Sequence, residues 1–357
     1  MENELEGFHK KVTVVSFLMQ LCVVMVHMNT DQYFELHASG AFSDSICEWV
    51  YRFCFDGGVV SISFFMMCSA FLLYYNLTKE NMWEKVRRRF STLLIPFIIW
   101  NVIGMAFCAV YWWNTEGFDI IFSYIPFQFV MSRYCAVMWF SEALLFFLLF
   151  IPVILWIMKK KILGELVVLG AFAGSYLDWA FLGKNILHQY IDFEIYRFLA
   201  YIPMYLLGAY LGVRFSREII SERYNNWMLK IVAAFLWILS YALPESFLTY
   251  CLIMLRPIYI WMIIDRGWLT FRLKWWMENN FFIYATHYFL ILAIVPLLCK
   301  VYTYVEVTNI FVTIWRFVCF FIIIFLCEGA GRLLIKFAPK VYGLCTGGRV
   351  PRKQEGE

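Results

Sequence analysis

Apolar runs recur along this chain from Val12 to Leu334, with no long polar stretch between them. About ten of these runs are long enough to cross roughly 30 Å of hydrocarbon as α-helices. The two runs on either side of Pro244 could instead form one re-entrant hairpin. The pattern therefore predicts an all-α, polytopic membrane protein with about ten transmembrane helices, at about 12–28, 59–75, 90–112, 137–158, 162–181, 195–213, 227–243, 247–264, 281–299 and 310–334.

The composition agrees with this pattern and sets the expected domain organisation. Of 357 residues, 62% are hydrophobic and 16% are charged, whereas a soluble domain is nearer half apolar and a quarter charged. This excess excludes a soluble globular enzyme. We expect one membrane domain over residues 1–345 and a short, disordered cytoplasmic tail over 346–357. No small-residue cleavage site follows the first run, so it is predicted to be a retained helix and not a signal peptide.

Basic residues alternate between the predicted loops in the way that the positive-inside rule describes. With the N-terminus in the cytoplasm, 23 of the 30 Lys and Arg residues fall in inner loops or at inner helix ends. Both termini are therefore predicted to be cytoplasmic, in a multi-pass protein of the cell membrane. The first outer loop, about 29–58, holds five acidic residues and is a candidate lid.

The cysteines and histidines show no recognisable framework. Most of the 11 cysteines lie in predicted spans, while Cys47, Cys54 and Cys135 are placed outside, so a disulfide among these three is open. The five histidines are scattered, and no metal site is predicted. The chain has no Walker loop and no nucleophile elbow, so ATP-driven transport is not expected. We expect no nucleic-acid partner, and the lipid bilayer is the predicted environment.

Ionisable side chains inside predicted spans need a partner, a cavity or a chemical role, because each costs about 2.5 kcal/mol or more on insertion scales. His27 closes the first span and shares one helix face with Ser16 and Gln20. An imidazole can take up a proton near neutral pH, and Glu142, at a similar predicted depth, could orient it. Alternatively, His27 meets water or headgroups, and Glu142 pairs with an arginine. The remaining ionisable residues in spans are Arg256, Arg316, Glu328 and His287, the last predicted in the inner third of its span.

A basic cluster, Arg87, Arg88 and Arg89, precedes the third span on its predicted cytoplasmic side. Planar guanidinium groups bind phosphate through paired donors, so the cluster is a candidate site for a phosphate-bearing ligand. Anionic lipid would satisfy the same cluster.

Several short segments also follow one another in a characteristic order. They are Val23–His27, Ser63–Leu73, Arg87–Arg89, Leu94–Phe97, Met138–Phe140, Tyr201–Ala209 and Phe282–His287. Over nearly the whole chain they resemble acyltransferase family 3, the membrane acyltransferases that modify cell-envelope glycans. Ser16 stands where that family has Arg or Lys eleven positions before its catalytic His, and Ala70 replaces a usual Gly. Lys11 is the nearest upstream basic residue, more than a turn further inward. Either the basic role is moved to another helix, with Arg256 or Arg316 as candidates, or the chain belongs to a branch of the family that manages without it.

The resemblance implies a membrane O-acyltransferase, most often an O-acetyltransferase. It implies that acetyl-CoA or another acyl-CoA is used from the cytoplasm, without a metal, and that a hydroxyl of an extracytoplasmic glycan or lipid-linked sugar is modified. In this interpretation the Arg87–Arg89 cluster holds the CoA phosphates, and Ser69 and His287 line the pantetheine route. His27 is the catalytic base or acyl carrier, and Glu142 positions it.

Two other functions remain open on the sequence. One is a non-enzymatic transporter or flippase of a glycan or lipid, in which a polar cavity carries its substrate across. The other is a family member that has lost catalysis and acts as a sensor, for which Ser16 is the main argument. No motif specifies the acceptor, the acyl chain or the oligomeric state.

Overall fold

A computed structural model describes residues 2–28, 30, 41–113, 118–119, 122–178, 180, 200–300 and 307–351 of the chain. Within these ranges there are helices and turns but no β-strand, which confirms the all-α fold class. The helices are α1 Glu2–Val26, α2 Ala41–Tyr74, α3 Met82–Tyr111, α4 Ile125–Val130, α5 Trp139–Leu148, α6 Ile151–Met158, α7 Lys161–Leu177, α8 Ile202–Arg214, α9 Ser216–Ser221, α10 Trp227–Ala242, α11 Phe247–Met254, α12 Arg256–Ile263, α13 Trp275–Glu278, α14 Asn280–Cys299, α15 Asn309–Phe337 and α16 Pro339–Cys345.

Five of the described helices are long and apolar enough to cross a membrane, namely α1, α2, α3, α14 and α15. A sixth candidate is the pair Ala136–Leu148 and Ile151–Met158, whose axes differ by 71°. The other predicted spans contain shorter helices, from the 8 residues of α11 and α12 to the 17 residues of α7. A multi-pass membrane protein is thus supported, while the count of ten spans and the cytoplasmic termini stay predictions.

The sequence explains where several of these helices begin. The side chains of Asn226, Ser246 and Thr308 accept hydrogen bonds from backbone N–H groups in the first turns of α10, α11 and α15. Proline lies in the first turn of α6, α8, α12 and α16, where its missing N–H has no helical partner to lose. The bend between α5 and α6 falls just before Pro152, because a proline has no N–H to donate to the carbonyl four residues earlier and its ring crowds that carbonyl, which here belongs to Leu148, the last residue of α5.

The chain divides into two compact units, each built from three stretches of sequence. The first unit is Met1–Val15, Val60–Leu94 and Trp139–Arg272, and the second is Ser16–Val59, Ile95–Met138 and Leu273–Glu357. In the first unit α8 approaches α2 closely at Gly208, where a Cβ would lie 2.1 Å from the carbonyl oxygen of Met67. In the second unit the core lies between α14 and α15, around Ile283, Cys319 and Ile323.

The predicted outer loop at 29–58 is wrong for the part that the structure describes, because α2 already begins at Ala41. No proline interrupts residues 41–74, so nothing in the sequence stops the helix. Gly57 and Gly58, which favour a loop, are instead needed for packing. A Cβ on Gly58 would lie 2.9 Å from the Val26 side chain of α1. The rest of the predicted lid, residues 31–40, lies outside the described residues.

Two smaller expectations concern the cysteines and the tail. Cys47, Cys54 and Cys135 are all free thiols, so the structure contains no disulfide among them. In the predicted tail, Thr346 is buried and its hydroxyl donates to the carbonyl oxygen of Tyr342 at 2.8 Å. Residues 352–357 of that tail lie outside the described residues.

Candidate functional site

The second unit brings two of its histidines into ring contact. His27 follows the last residue of α1 and is half-buried, while His287 lies on α14 and is completely buried. Their ring centroids are 5.4 Å apart, with the planes tilted by 41°. The sequence predicted His27 near the outer surface and His287 in the inner third of its span. The ring contact shows instead that the two imidazoles lie at a similar depth. Depth counted along separate spans fails here, because it assumes that each helix begins at the membrane surface and stands upright.

The backbone of α14 fixes the tautomer of His287. Its Nδ1 lies 3.0 Å from the carbonyl oxygen of Ile283, one helical turn earlier. A carbonyl can only accept, so in the neutral ring Nδ1 carries the hydrogen and Nε2 carries the lone pair. This Nε2 is buried and has no hydrogen-bond partner within the described part of the chain. The second unit thus holds a proton-accepting nitrogen in a fixed orientation beside the His27 ring.

Tyr288 is a neighbour of His27 that the sequence did not single out. Its ring centroid lies 5.6 Å from that of His27, in an edge-on arrangement at 72°. Only its position next to His287 in the sequence could have indicated this. Further along α1, the Gln20 side chain is 2% exposed, and its Nε2 is buried without a hydrogen-bond partner among the described residues. Of the polar stripe predicted on α1, Gln20 is thus buried and His27 half-buried.

The predicted donor residues lie in the first unit, on α2 and at the start of α3. Arg87 and Arg88 are exposed, whereas Arg89 is half-buried and its guanidinium interacts electrostatically with Cys68 and Tyr205. Tyr205 is itself buried. Because Ser69 follows Cys68 on the same helix, the structure brings one of the three arginines to the α2 segment that carries Ser69. The other two face outward, as a solvated cluster would.

Glu142 lies on α5 in the first unit and is half-buried. His27 belongs to the second unit, so the predicted contact between the two side chains stays a prediction.

The structure distinguishes the three basic residues considered for the role that an Arg or Lys plays in the family at the position of Ser16. Lys11 is 1% exposed and forms a 2.6 Å ion pair with Glu222. Arg256 is also buried, and its Nε donates to the Ser240 hydroxyl at 2.8 Å while the guanidinium lies 3.8 Å from the centre of the Tyr241 ring. Both of these cations belong to the first unit. Arg316 alone of the three shares a unit with His27.

Arg316 lines a small, partly open recess next to the end of α1, with room for about one water molecule. The arginine is 6% exposed, and its guanidinium lies 5.1 Å from the centre of the Tyr51 ring. The residues that line this space, which we call the Arg316 cavity, are Met25, Val26, Met28, Tyr51, Cys54, Phe55 and Arg316. Val26 and Met28 flank His27 in the sequence, so the cavity adjoins the segment that carries the half-buried imidazole.

Comparison with known proteins identifies one family. The profile of a family described as "Acyltransferase domain" matches residues 18–329, which is most of the chain and includes His27, Glu142 and His287. This match confirms the resemblance drawn from the short sequence segments. No curated protein and no solved structure matches the chain.

Proposed function

Because the chain belongs to acyltransferase family 3, we propose that it transfers an acyl group, acetyl in the first instance, from cytoplasmic acyl-CoA to a hydroxyl of an extracytoplasmic glycan or lipid-linked sugar. The observation that carries the proposal is the ring contact between His27 and His287. Acyl transfer to a hydroxyl needs a proton acceptor in a fixed position, and a flippase of the same substrate does not.

The reaction forms a bond between the acceptor oxygen and the acyl carbon, and it breaks the bond between that carbon and the sulfur of CoA. The hydroxyl proton has to leave as the new bond forms, and the departing thiolate has to gain a proton. His27 takes the first proton and returns it to the thiolate, so the two transfers balance. A positioned general base of this kind contributes about 10²–10⁴-fold to the rate.

His287 fits a role behind His27 better than the pantetheine-lining role implied by the family resemblance. A centroid separation of 5.4 Å is compatible with a hydrogen bond from an N–H of His27 to His287 Nε2 once the two rings are suitably oriented. That hydrogen bond would fix the His27 tautomer, so that the other nitrogen of His27 accepts the hydroxyl proton. In other enzymes that use a nucleophile and a general base, a third residue orients the base by a hydrogen bond in the same way. His287 is thus proposed as a positioning residue, and Glu142 keeps its predicted orienting role.

The donor is proposed to bind at the first unit. Arg87 and Arg88 are exposed and would meet the CoA phosphates, for which paired guanidinium donors are well suited. Arg89 interacts electrostatically with Cys68, next to Ser69, and would mark the route of the pantetheine arm. CoA is too polar to cross the bilayer, so its phosphates would stay on the cytoplasmic side while the pantetheine arm carries the thioester through the protein toward His27.

The experiment uses membrane vesicles from cells that express the chain, supplied with radiolabelled acetyl-CoA. The label is measured in the extracted glycans and glycolipids. Replacing His27 by Gln is expected to lower transfer by at least 10²-fold, because the general base is lost. The matched control is His9→Gln on the same helix, where the side chain is exposed, and transfer should be unchanged.

Two further variants test the second histidine. His287→Gln keeps an acceptor near the position of Nε2 and should retain more transfer than His287→Leu, which removes it. Full transfer by folded His27→Gln protein would refute the proposed mechanism. Movement of an unlabelled glycolipid without any cleavage of acetyl-CoA would instead support the transporter.

A further inference from the structure

The short helix α4, Ile125–Val130, is apolar, and none of its six residues is buried. Tyr124, which precedes it, is 83% exposed, and the side chains of Phe127 and Val130 are 50% and 56% exposed. An isolated helix shorter than about 12 residues is marginal in water, so α4 has to gain stability from its surroundings. Its exposed apolar side chains indicate surroundings other than water alone.

The apolar surface of α4 continues that of a membrane-spanning helix. α3 is long and apolar enough to cross a membrane, and at and just beyond its end Val110 and Trp113 are 80% and 65% exposed. The Trp113 ring lies 5.7 Å from that of Phe118, and Phe118 stacks on Phe122 at 4.6 Å between centroids. Phe122 is two residues before Tyr124. One apolar surface thus runs from the lipid-facing side of α3 to α4.

The opposite side of α4 is fixed to the second unit. The Phe129 ring lies 6.2 Å from that of Phe97 on α3 and 6.5 Å from that of Tyr134, which is 2% exposed. Tyr124 and Ser132, just outside the two ends of α4, have positive φ angles of 51° and 52°. Residues other than glycine adopt this conformation at a steric cost, so the chain turns sharply on both sides of the helix. These contacts and turns set which side chains point outward.

Neither water nor the hydrocarbon core suits this segment. In water, the exposed rings and aliphatic side chains of α4 would stay hydrated. At about 1.5 Å per residue, α4 is only about 9 Å long and cannot span roughly 30 Å of hydrocarbon. Lipid-exposed irregular backbone, as at Tyr124, does not occur in the hydrocarbon core, and Arg133 just after the helix is exposed. The headgroup layer meets both demands, because it accepts aromatic side chains and hydrates polar groups.

The same stretch of chain contacts α14 beside the two histidines. A 3₁₀ turn, Ala136–Met138, follows the anchored Tyr134, and the carbonyl oxygen of Val137 accepts a hydrogen bond from the Tyr284 hydroxyl. His287 lies three residues beyond Tyr284 on the same helix. All of these residues belong to the second unit. The depth of α4 in the membrane is therefore linked to the level of the two imidazole rings.

We propose that Tyr124–Val130 is an interfacial anchor. It lies in the headgroup layer of one leaflet, with Tyr124, Phe127 and Val130 in contact with phospholipid, and it holds at that depth the chain segment that contacts α14 near His287. The partner of this surface is the lipid of the bilayer. The inference uses neither the acyl donor nor the acceptor, so it stands apart from the proposed function.

The experiment uses the wild-type chain reconstituted in phosphatidylcholine vesicles. One preparation contains a phospholipid with a diazirine beside the headgroup, and the other contains a phospholipid with a diazirine at the end of an acyl chain. Irradiation expels N₂ and inserts the carbene carbon into a nearby C–H, N–H or O–H bond. Mass spectrometry after pepsin digestion locates the adducts. Val102 and Ile103, which are exposed on α3, are the internal reference for the hydrocarbon core.

The ratio of headgroup-probe to tail-probe adducts is expected to be above one at α4 and below one at Val102 and Ile103. Phe127→Tyr should keep the ratio at α4, since tyrosine also favours the interface. Phe127→Asp should remove most of the headgroup-probe adducts at α4. Unchanged adducts at the two reference residues show that each variant is folded in the membrane.

Two results with the wild-type protein would overturn the inference. A recovered α4 peptide with adducts of neither lipid would mean that water or another part of the chain covers this face. An excess of tail-probe adducts at α4 would mean that the helix lies among the acyl chains. Neither result depends on whether a variant folds. Acyl transfer is not measured in this experiment, so failure of the proposed function and failure of the anchor are distinguishable.

Discussion

Replacing Glu222 by Gln tests the buried ion pair that holds the N-terminal helix in the first unit. Lys11 Nζ lies 2.6 Å from Glu222 Oε1, and the two side chains are 1% and 7% exposed. The ammonium also lies 4.6 Å from the centre of the Trp261 ring. The variant removes the counter-charge and leaves the ammonium buried beside a neutral amide.

Removing one partner of a buried pair costs about 3–5 kcal/mol, since the other charge is left uncompensated. Lys11→Met should cost less, because Glu222 still faces the guanidinium of Arg266, whose Nε lies 3.6 Å from Glu222 Oε2. The double variant should lose less than the sum of the two single variants. The free energies come from unfolding in mixed micelles of increasing SDS content, followed by tryptophan fluorescence.

The matched control is Glu48→Gln, which breaks the pair between Arg52 and Glu48. Its N···O distance is also 2.6 Å, but the side chains are 74% and 62% exposed. An exposed pair contributes about 0–1 kcal/mol. If Glu222→Gln costs no more than Glu48→Gln, the argument from burial is refuted.

Two further predictions concern the first unit. Gly208→Ala should lower the unfolding free energy by about 3 kcal/mol, because the new Cβ meets the carbonyl of Met67, whereas Gly170→Ala on α7, with nothing within 4 Å of its Cβ, should raise it by about 0.5–1 kcal/mol. Thermal unfolding midpoints in detergent will order the two variants, and equal shifts would contradict the packing. The ion pair with Lys230, with help from the Gly267 N–H, lowers the pKa of Asp265 from 3.8 to about 2. Its charged form therefore adds stability above pH 3.8 that is lost as the pH falls through about 2. Asp265→Asn should cost about 2 kcal/mol at pH 7 and almost nothing near pH 2, and a pH-independent cost would exclude this origin.

The hydrophobic pattern was sufficient to predict the apolar helices, but it missed the helical residues 41–58 at the start of α2. Each of the ten predicted segments contains helix where it is described, because burial of a continuous apolar run requires an internally satisfied backbone. The pattern could not predict where such a run breaks. The bend before Pro152 and the short helices α11 and α12 arise from local backbone effects that leave the mean hydropathy unchanged.

The candidate site was predictable in its residues but not in its arrangement. His27 and His287 could be chosen from sequence because ionisable residues are rare in apolar runs. Their contact could not, because it depends on how far α14 is shifted along α1. The same holds for the choice among Lys11, Arg256 and Arg316, since the partners of these cations lie far away in the sequence. The start of α2 was missed because a glycine that allows close helix packing, such as Gly58, and a glycine that allows a turn look alike in a sequence.

The length of α2 has a consequence for the lipid environment. Its 34 residues extend over about 50 Å at 1.5 Å per residue, well beyond about 30 Å of hydrocarbon. The helix must therefore tilt, or its first part must emerge among the headgroups. The stacked and exposed rings of Trp49 and Phe53 lie in this first part, and aromatic side chains are enriched at the membrane interface. Tyr51 and Cys54 belong to this same part and line the Arg316 cavity. Lipids of different acyl-chain length would therefore change the depth of the cavity relative to the headgroups. Bilayer thickness thereby becomes a physical variable that sets the depth of this part of the protein in the membrane.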